Sequence, residues 1–169
     1  EWRTRVEHLP RPLRTHVRDL ALATILHLYG GFLIPSSFIC FQNLRPLYDA
    51  HIQTANVVMG ELRTMSSLAT EKQYSPSTKM MGCRKFDPVM KEYMEFMMEM
   101  NNRDQTQEMD FTGETSRWWC AKQNATPNAV SLIPAEELGV KTTTNKPILI
   151  EELLADVDVP LSPTAAGLY

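Results

Sequence analysis

Cysteine is scarce in this chain: Cys40, Cys83 and Cys120 are the only three among 169 residues, and they lie far apart. So sparse and odd a set excludes a disulfide framework and any Cys-x-x-Cys metal knuckle, and each thiol reads as a small buried apolar residue rather than a nucleophile. Long apolar runs are also missing. The best, Leu20 to Ile34, is broken by His27 and by Gly30-Gly31, short of the roughly eighteen residues a bilayer-spanning helix needs, so no transmembrane segment is expected. Charge of one sign is lacking too: 17 Lys and Arg against 20 Asp and Glu leave a net charge of -3, which argues against a nucleic-acid partner. The arginines Arg3, Arg5, Arg11, Arg14 and Arg18 are offset by Glu1, Glu7 and Asp19 and read as a solvated face. No secretory signal opens the chain, and Glu1-Trp2-Arg3 in place of a methionine predicts numbering that begins inside a longer or processed protein.

What is present fits a soluble globular domain; its cellular location is left open. With 43% hydrophobic residues the chain is too apolar for disorder and long enough to bury a core. One α/β domain over residues 1–155 is expected, followed by a surface tail over 156–169 that carries Pro160 and Pro163. Pro10 and Pro12 precede a long periodic segment, with Thr15 as a candidate cap, and Val17 to Tyr29 reads as a central helix stopped by Gly30-Gly31. Phe32-Leu33-Ile34 and Phe38 to Phe41 read as short buried strands, as do Asn56 to Met59, Lys79 to Cys83 and Ala129 to Ile133. Thr70 to Thr78 and Asn101 to Asp110 read as polar loops. Asp87-Pro88 is an N-cap followed by proline in the first turn, opening a helix whose Met90, Met94, Met97 and Met98 recur at core spacing. Pro134 to Leu138 reads as one helical turn, Val140 to Thr142 with Ile148 to Ile150 as a hairpin, and Glu151 to Ala155 as a short helix.

Common catalytic signatures are absent: no Gly-rich phosphate loop, no Gly-x-Gly-x-x-Gly, no His-Glu-x-x-His and no Gly-x-Ser-x-Gly elbow. His8, His16, His27 and His51 form no metal-ligand spacing. Trp118 and Trp119 read as core or interface residues before they read as a sugar-stacking platform.

The informative stretch runs from Asp19 to Phe41. Asp19 opens a buried helix eleven residues before Gly30, Tyr29-Gly30-Gly31 follows, and Phe32-Leu33-Ile34 leads on into a strand. This resembles the DXD-motif glycosyltransferases of the α-mannosyltransferase and capsular-polysaccharide type. Leu44-Arg45-Pro46-Leu47, Met80 to Cys83 with Asp87-Pro88, and Phe111-Thr112-Gly113 resemble later elements of that family more loosely. The resemblance implies a GT-A-like, mostly parallel Rossmann-type sheet flanked by helices, truncated at its N-terminus. It also implies transfer of a sugar from a nucleotide-sugar donor to a hydroxyl on a glycan or other acceptor. Asp19, Tyr29, Gly30, Gly31, Ser36, Ser37, Thr112 and Gly113 become candidate donor-binding residues, and Asp110 and Glu114 candidate catalytic acids. The ligand is expected where the Gly30-Gly31 turn meets the Thr112-Gly113 element.

One departure changes the chemistry. The family's two aspartates hold Mn2+ or Mg2+, and their positions here carry Pro35 and Ser37, which offer no carboxylate to a hard cation. No metal ligand is therefore assigned. Three readings stay open: a transferase whose diphosphate is stabilised by side chains such as Arg18, Arg84 or Lys85, a catalytically inactive sugar or nucleotide binder, and a structural protein that retains the transferase fold.

Overall fold

The computed structural model describes residues 6–61, 76–103, 108–144, 146–155 and 158–169. Arg3, Arg5 and most of the expected 70–78 loop lie outside them. After a single 3-10 turn, α1 (Arg11–Tyr29) leads into β1 (Gly31–Leu33) and β2 (Ile39–Cys40). There follow α2 (Arg45–Ile52), β3 (Val57–Glu61), β4 (Pro76–Cys83), α3 (Pro88–Asn102), α4 (Glu108–Ala125), β5 (Val130–Ile133), α5 (Ile150–Leu154) and β6 (Gly167–Leu168).

The protein is mixed α/β. Four strands form a sheet in the order β1-β4-β3-β5, and β2 pairs separately with β6. Among the described residues the sheet is not mostly parallel as expected: β4 runs antiparallel to both β1 and β3, and the β3–β5 pair is parallel. Strand alternation divides the core. Val57, Met59, Met81, Cys83 and Val130 pack on one face against α1, α3 and α4. Val58, Met80 and Ile133 pack on the other with Ile52 of α2 and the Ala135–Val140 segment. Helices thus flank the sheet on both sides.

α1 starts where proline suits a first turn, but no side chain caps it; the Thr15 hydroxyl instead donates to the Arg11 carbonyl within the helix. It is less central than its composition suggests. His16, Leu20, Ala23 and Leu26 are buried, whereas Ile25, Leu28 and Tyr29 face outward. α3 follows its expected start closely: the Asp87 carboxylate accepts from the Val89 and Met90 N–H groups. Met90, Met97 and Met100 are buried, but Met98 is 42% exposed and lies off the stripe.

Three other expectations change. Residues 101 and 102 continue α3 and residues 108–110 already belong to α4, so both ends of the expected 101–110 loop are helical; residues 104–107 lie outside the described residues. The 18-residue α4 is longer than the short Trp-bearing segment expected. The C-terminal tail is built into the fold rather than laid over it: β6 pairs with β2, Ala166 N–H donates to the Glu137 carbonyl, and Ala166 is buried. Among the described residues no helix is long and apolar enough to cross a membrane.

Candidate functional site

Everything at the candidate site depends on how the chain leaves α1. Gly30 N–H closes the helix on the Leu26 carbonyl at 2.8 Å, and Gly30 then adopts φ +71°, ψ -170°. Gly31 follows at φ +112°. Two consecutive residues in glycine's territory turn the chain directly from helix into β1. β1 pairs with β4, placing Phe32 opposite Gly82. A side chain on Gly82 would sit 2.9 Å from both Phe32 Cδ2 and Tyr48 Cε2, so its absence lets those two rings close over the strand.

α2 supplies the opposite wall. Asn43 Oδ1 accepts from Arg45 N–H at 2.9 Å, Pro46 lies in the first turn, and Tyr48 falls one turn inside. The Tyr48 hydroxyl donates to the Cys83 carbonyl at 2.8 Å, and its ring centroid is 5.6 Å from that of Phe32 at 36°. Burial, followed by the neighbouring Cys83, raises the phenol's pKa above its ordinary value, so Tyr48 stays a neutral donor. Between β1 and α2 lies a cleft of about 340 Å³ lined by Gly31, Phe32, Ile34, Leu44, Arg45 and Tyr48. Its floor is apolar and aromatic. Arg45 is the lining residue with a full charge, and its Nε lies 2.6 Å from Asp49 Oδ2.

The expected site residues fall into two separated groups. Gly31 lines the cleft, Gly30 adjoins it, and Ser36 and Ser37 occupy an exposed turn just beyond Ile34, closed by Phe38 N–H on the Pro35 carbonyl at 3.0 Å. Tyr29 is next to the hinge but 74% exposed. Asp19 is far from it, since eleven residues of helix span about 16 Å. It pairs with Arg18 at 3.1 Å, and burial outweighs that arginine to raise its pKa.

The Thr112-Gly113 element does not meet the hinge. Thr112 and Gly113 are interior residues of α4, where Phe111 stacks on His16 with centroids 3.6 Å apart. His16 lies fourteen residues before Gly30, about 21 Å along α1. Asp110 belongs to the same helix start; the side chains of Asp110 and Thr112 lie outside what the structure describes. Glu114 pairs with Arg117 at 2.6 Å on the surface of α4. The candidate acids and the Gly-Gly cleft therefore do not converge.

A divalent cation does not fit the positions where the resemblance would put it. Pro35 and Ser37 bring no carboxylate, and among the described residues no three His, Cys, Asp or Glu side chains gather to hold a metal. The alternative cations are mostly engaged. Arg18 holds Asp19, the Arg84 guanidinium donates to the Ile52 carbonyl at the end of α2, and Lys85 lies 4.8 Å over the Phe86 ring. His27 Nδ1 is 3.2 Å from the Asp87 carbonyl oxygen, and His51 Nδ1 is 2.7 Å from Ser131 Oγ, tying α2 to β5. Trp119 is fully buried and Trp118 stacks on Phe96, so both tryptophans belong to the core.

Arg45, Tyr48 and Ile34 were not singled out as site residues by their sequence context. Two signals pointed toward them: the Asn-x-Arg-Pro start of the helix that follows the two short strands after Gly30-Gly31, and Gly82 within the apolar Met80-Met81-Gly82-Cys83 end of β4. No family model matches the chain, and neither the curated proteins nor the solved structures include one that matches it.

Proposed function

We propose that this chain is a glycosyltransferase-like domain that binds a nucleotide sugar in the cleft between β1 and α2 and acts as a binding module. The mixed sheet is read as a derivative of the GT-A-like architecture that the Tyr29-Gly30-Gly31 stretch resembles. The cleft itself is the observation that carries the proposal. Its volume suits a glycosyl or nucleoside group, its Phe32–Tyr48 wall offers a face for a sugar or base, and Arg45 stands at the rim for an anion.

Binding is favoured over transfer by the placement of polar groups. Among the described residues lining the cleft there is no carboxylate to act as base, and Asp110 and Glu114 flank Phe111, which stacks on His16, a residue about 21 Å along α1 from Gly30. Sugar transfer to a hydroxyl acceptor is accordingly the second outcome of the test, not the first.

Titration calorimetry against UDP-, GDP- and TDP-linked sugars tests the reading, paired with a hydrolysis assay on the same samples. Binding without turnover is expected. Ile34→Glu, which places a charge in the cleft from a position already 38% exposed, is expected to weaken binding at least tenfold with the fold intact. Failure of every nucleotide sugar to bind, or unchanged affinity in Ile34→Glu, overturns the proposal; turnover shifts it to the transferase reading.

A further inference from the structure

We infer that Arg45 is the anion-binding residue of the cleft, that it works without a metal, and that Asp49 is its resident competitor. The inference rests on the binding role proposed for the cleft and specifies how a diphosphate would be held there. A polar ligand entering an apolar cleft needs a compensating charge where its own charge lies. In the resemblance that charge is a cation on two aspartates, and here the equivalent positions are Pro35 and Ser37. Arg45 lines the cleft, and its guanidinium offers a planar fork of donors suited to phosphate oxygens. Arg18, Arg84 and Lys85 hold other partners, as described above.

Arg45 is not idle in the empty cleft. Its Nε donates to Asp49 Oδ2 at 2.6 Å across one helical turn, and Asp49 raises the arginine's pKa above its already high value by hydrogen bond and charge. The pair is exposed, with the arginine side chain 76% and the aspartate 40% accessible, so it is weak and exchangeable. An incoming diphosphate takes the place of the Asp49 carboxylate on the guanidinium. The swap exchanges one charge-assisted hydrogen bond for another and needs no backbone movement. Asp49 then sets a threshold: neutral or singly weak anions do not displace it, whereas a diphosphate does.

The test compares uridine and guanosine with their 5′-diphosphates by calorimetry, in EDTA and in Mn2+. In the native protein the better diphosphate is expected to bind at least about tenfold more tightly than its nucleoside, a charge-assisted hydrogen-bond increment, equally in EDTA and Mn2+. Arg45→Gln is expected to erase that difference. Asp49→Asn is expected to tighten the diphosphate by about two- to fivefold, the range of an exposed ion pair, without tightening the nucleoside. Raising the salt should narrow the preference. Equal binding of nucleoside and diphosphate, an increment that survives Arg45→Gln, one that requires Mn2+, or a weaker diphosphate in Asp49→Asn overturns the inference while leaving nucleoside binding in the cleft standing. Absence of binding by all four compounds overturns both.

Discussion

The backbone of Gly30 passes so close to the loop after β4 that a Cβ added there would lie 2.7 Å from the Lys85 backbone nitrogen. That approach locks the end of α1 to the β4–α3 connection and sets the angle at which β1 enters the sheet. Gly30→Ala meets both the contact and a backbone conformation closed to L-residues, and is expected to destabilise the fold by about 3 kcal/mol or more. Gly31→Ala meets no atom within 4 Å, although φ +112° remains strained; about 1–2 kcal/mol is expected. Urea denaturation of the two variants measures the difference, and equal losses would contradict the tight approach.

Asp87 is buried and carries three hydrogen bonds: from Val89 N–H at 2.9 Å, Met90 N–H at 3.1 Å and Asn56 Nδ2 at 3.1 Å. It joins the start of α3 to the start of β3. Asp87→Ala removes the cap and leaves buried donors unpaired, which is expected to lower stability by about 2–3 kcal/mol. Asn56→Ala removes one bond of the three and should cost clearly less. Denaturation midpoints decide, and a loss in Asp87→Ala no larger than in Asn56→Ala would contradict the double role.

The thiols should separate by reactivity. Cys83 is fully buried, its Sγ lies 3.4 Å from the Leu26 carbonyl oxygen, and burial pushes its pKa up to about 12, so it carries almost no thiolate at neutral pH. Cys40, expected to be buried, lies exposed on β2. A disulfide reagent at pH 8 should modify Cys40 in native protein and Cys83 only in denaturant. Peptide mapping after modification reads the result, and rapid native labelling of Cys83 would contradict its placement.

Asp19 gives a pH signature. Burial raises its carboxyl above the ordinary 3.8, with Arg18 offsetting only part of the effect. The folded state therefore holds this proton more tightly than the unfolded chain, so ionised Asp19 opposes folding at neutral pH. The opposition is relieved as pH falls through the raised folded value toward 3.8. Asp19→Asn is expected to raise Tm at pH 7, with the two proteins converging as pH approaches 4. Scanning calorimetry across that window checks the sign; a lower Tm for Asp19→Asn at pH 7 would contradict it.

Local chemistry was legible in the sequence, and long-range geometry was not. The Gly30-Gly31 stop, the Asp87-Pro88 start, and strand segments at 57–59, 79–83 and 130–133 follow from turn residues and apolar runs that act within a few positions, whereas Pro76 to Thr78, expected in a polar loop, already belong to β4. α4 was harder, because its buried stripe is narrow: Phe111, Thr115 and Trp119 recur every four residues amid polar neighbours. Strand direction depends on connections rather than on composition, so the antiparallel β4 between β1 and β3 could not be read from Val57-Val58-Met59 or Met80-Met81. The tail's two prolines suggested a surface course, yet Ala166 and Gly167 are small enough to run close beside Phe38 and Gly139. The cleft belongs to the same class of property. Gly31 was legible as its edge, whereas Tyr48 and Arg45 reach it only because α2 folds back over Gly82. Likewise, Phe111-Thr112-Gly113 resembled an element expected beside the Gly30-Gly31 turn, yet it lies inside α4 with Phe111 stacked on His16, which carries Asp110 and Glu114 away from the hinge.

The most direct measurement is a map of backbone amide shifts in isotope-labelled protein titrated with the tightest-binding nucleotide sugar. The account predicts saturable changes concentrated on residues 31–34 and 44–49, with α4 around Gly113 and Glu114 undisturbed. Changes centred on α4 while the β1–α2 cleft stays silent, or no saturable change at all, would contradict it.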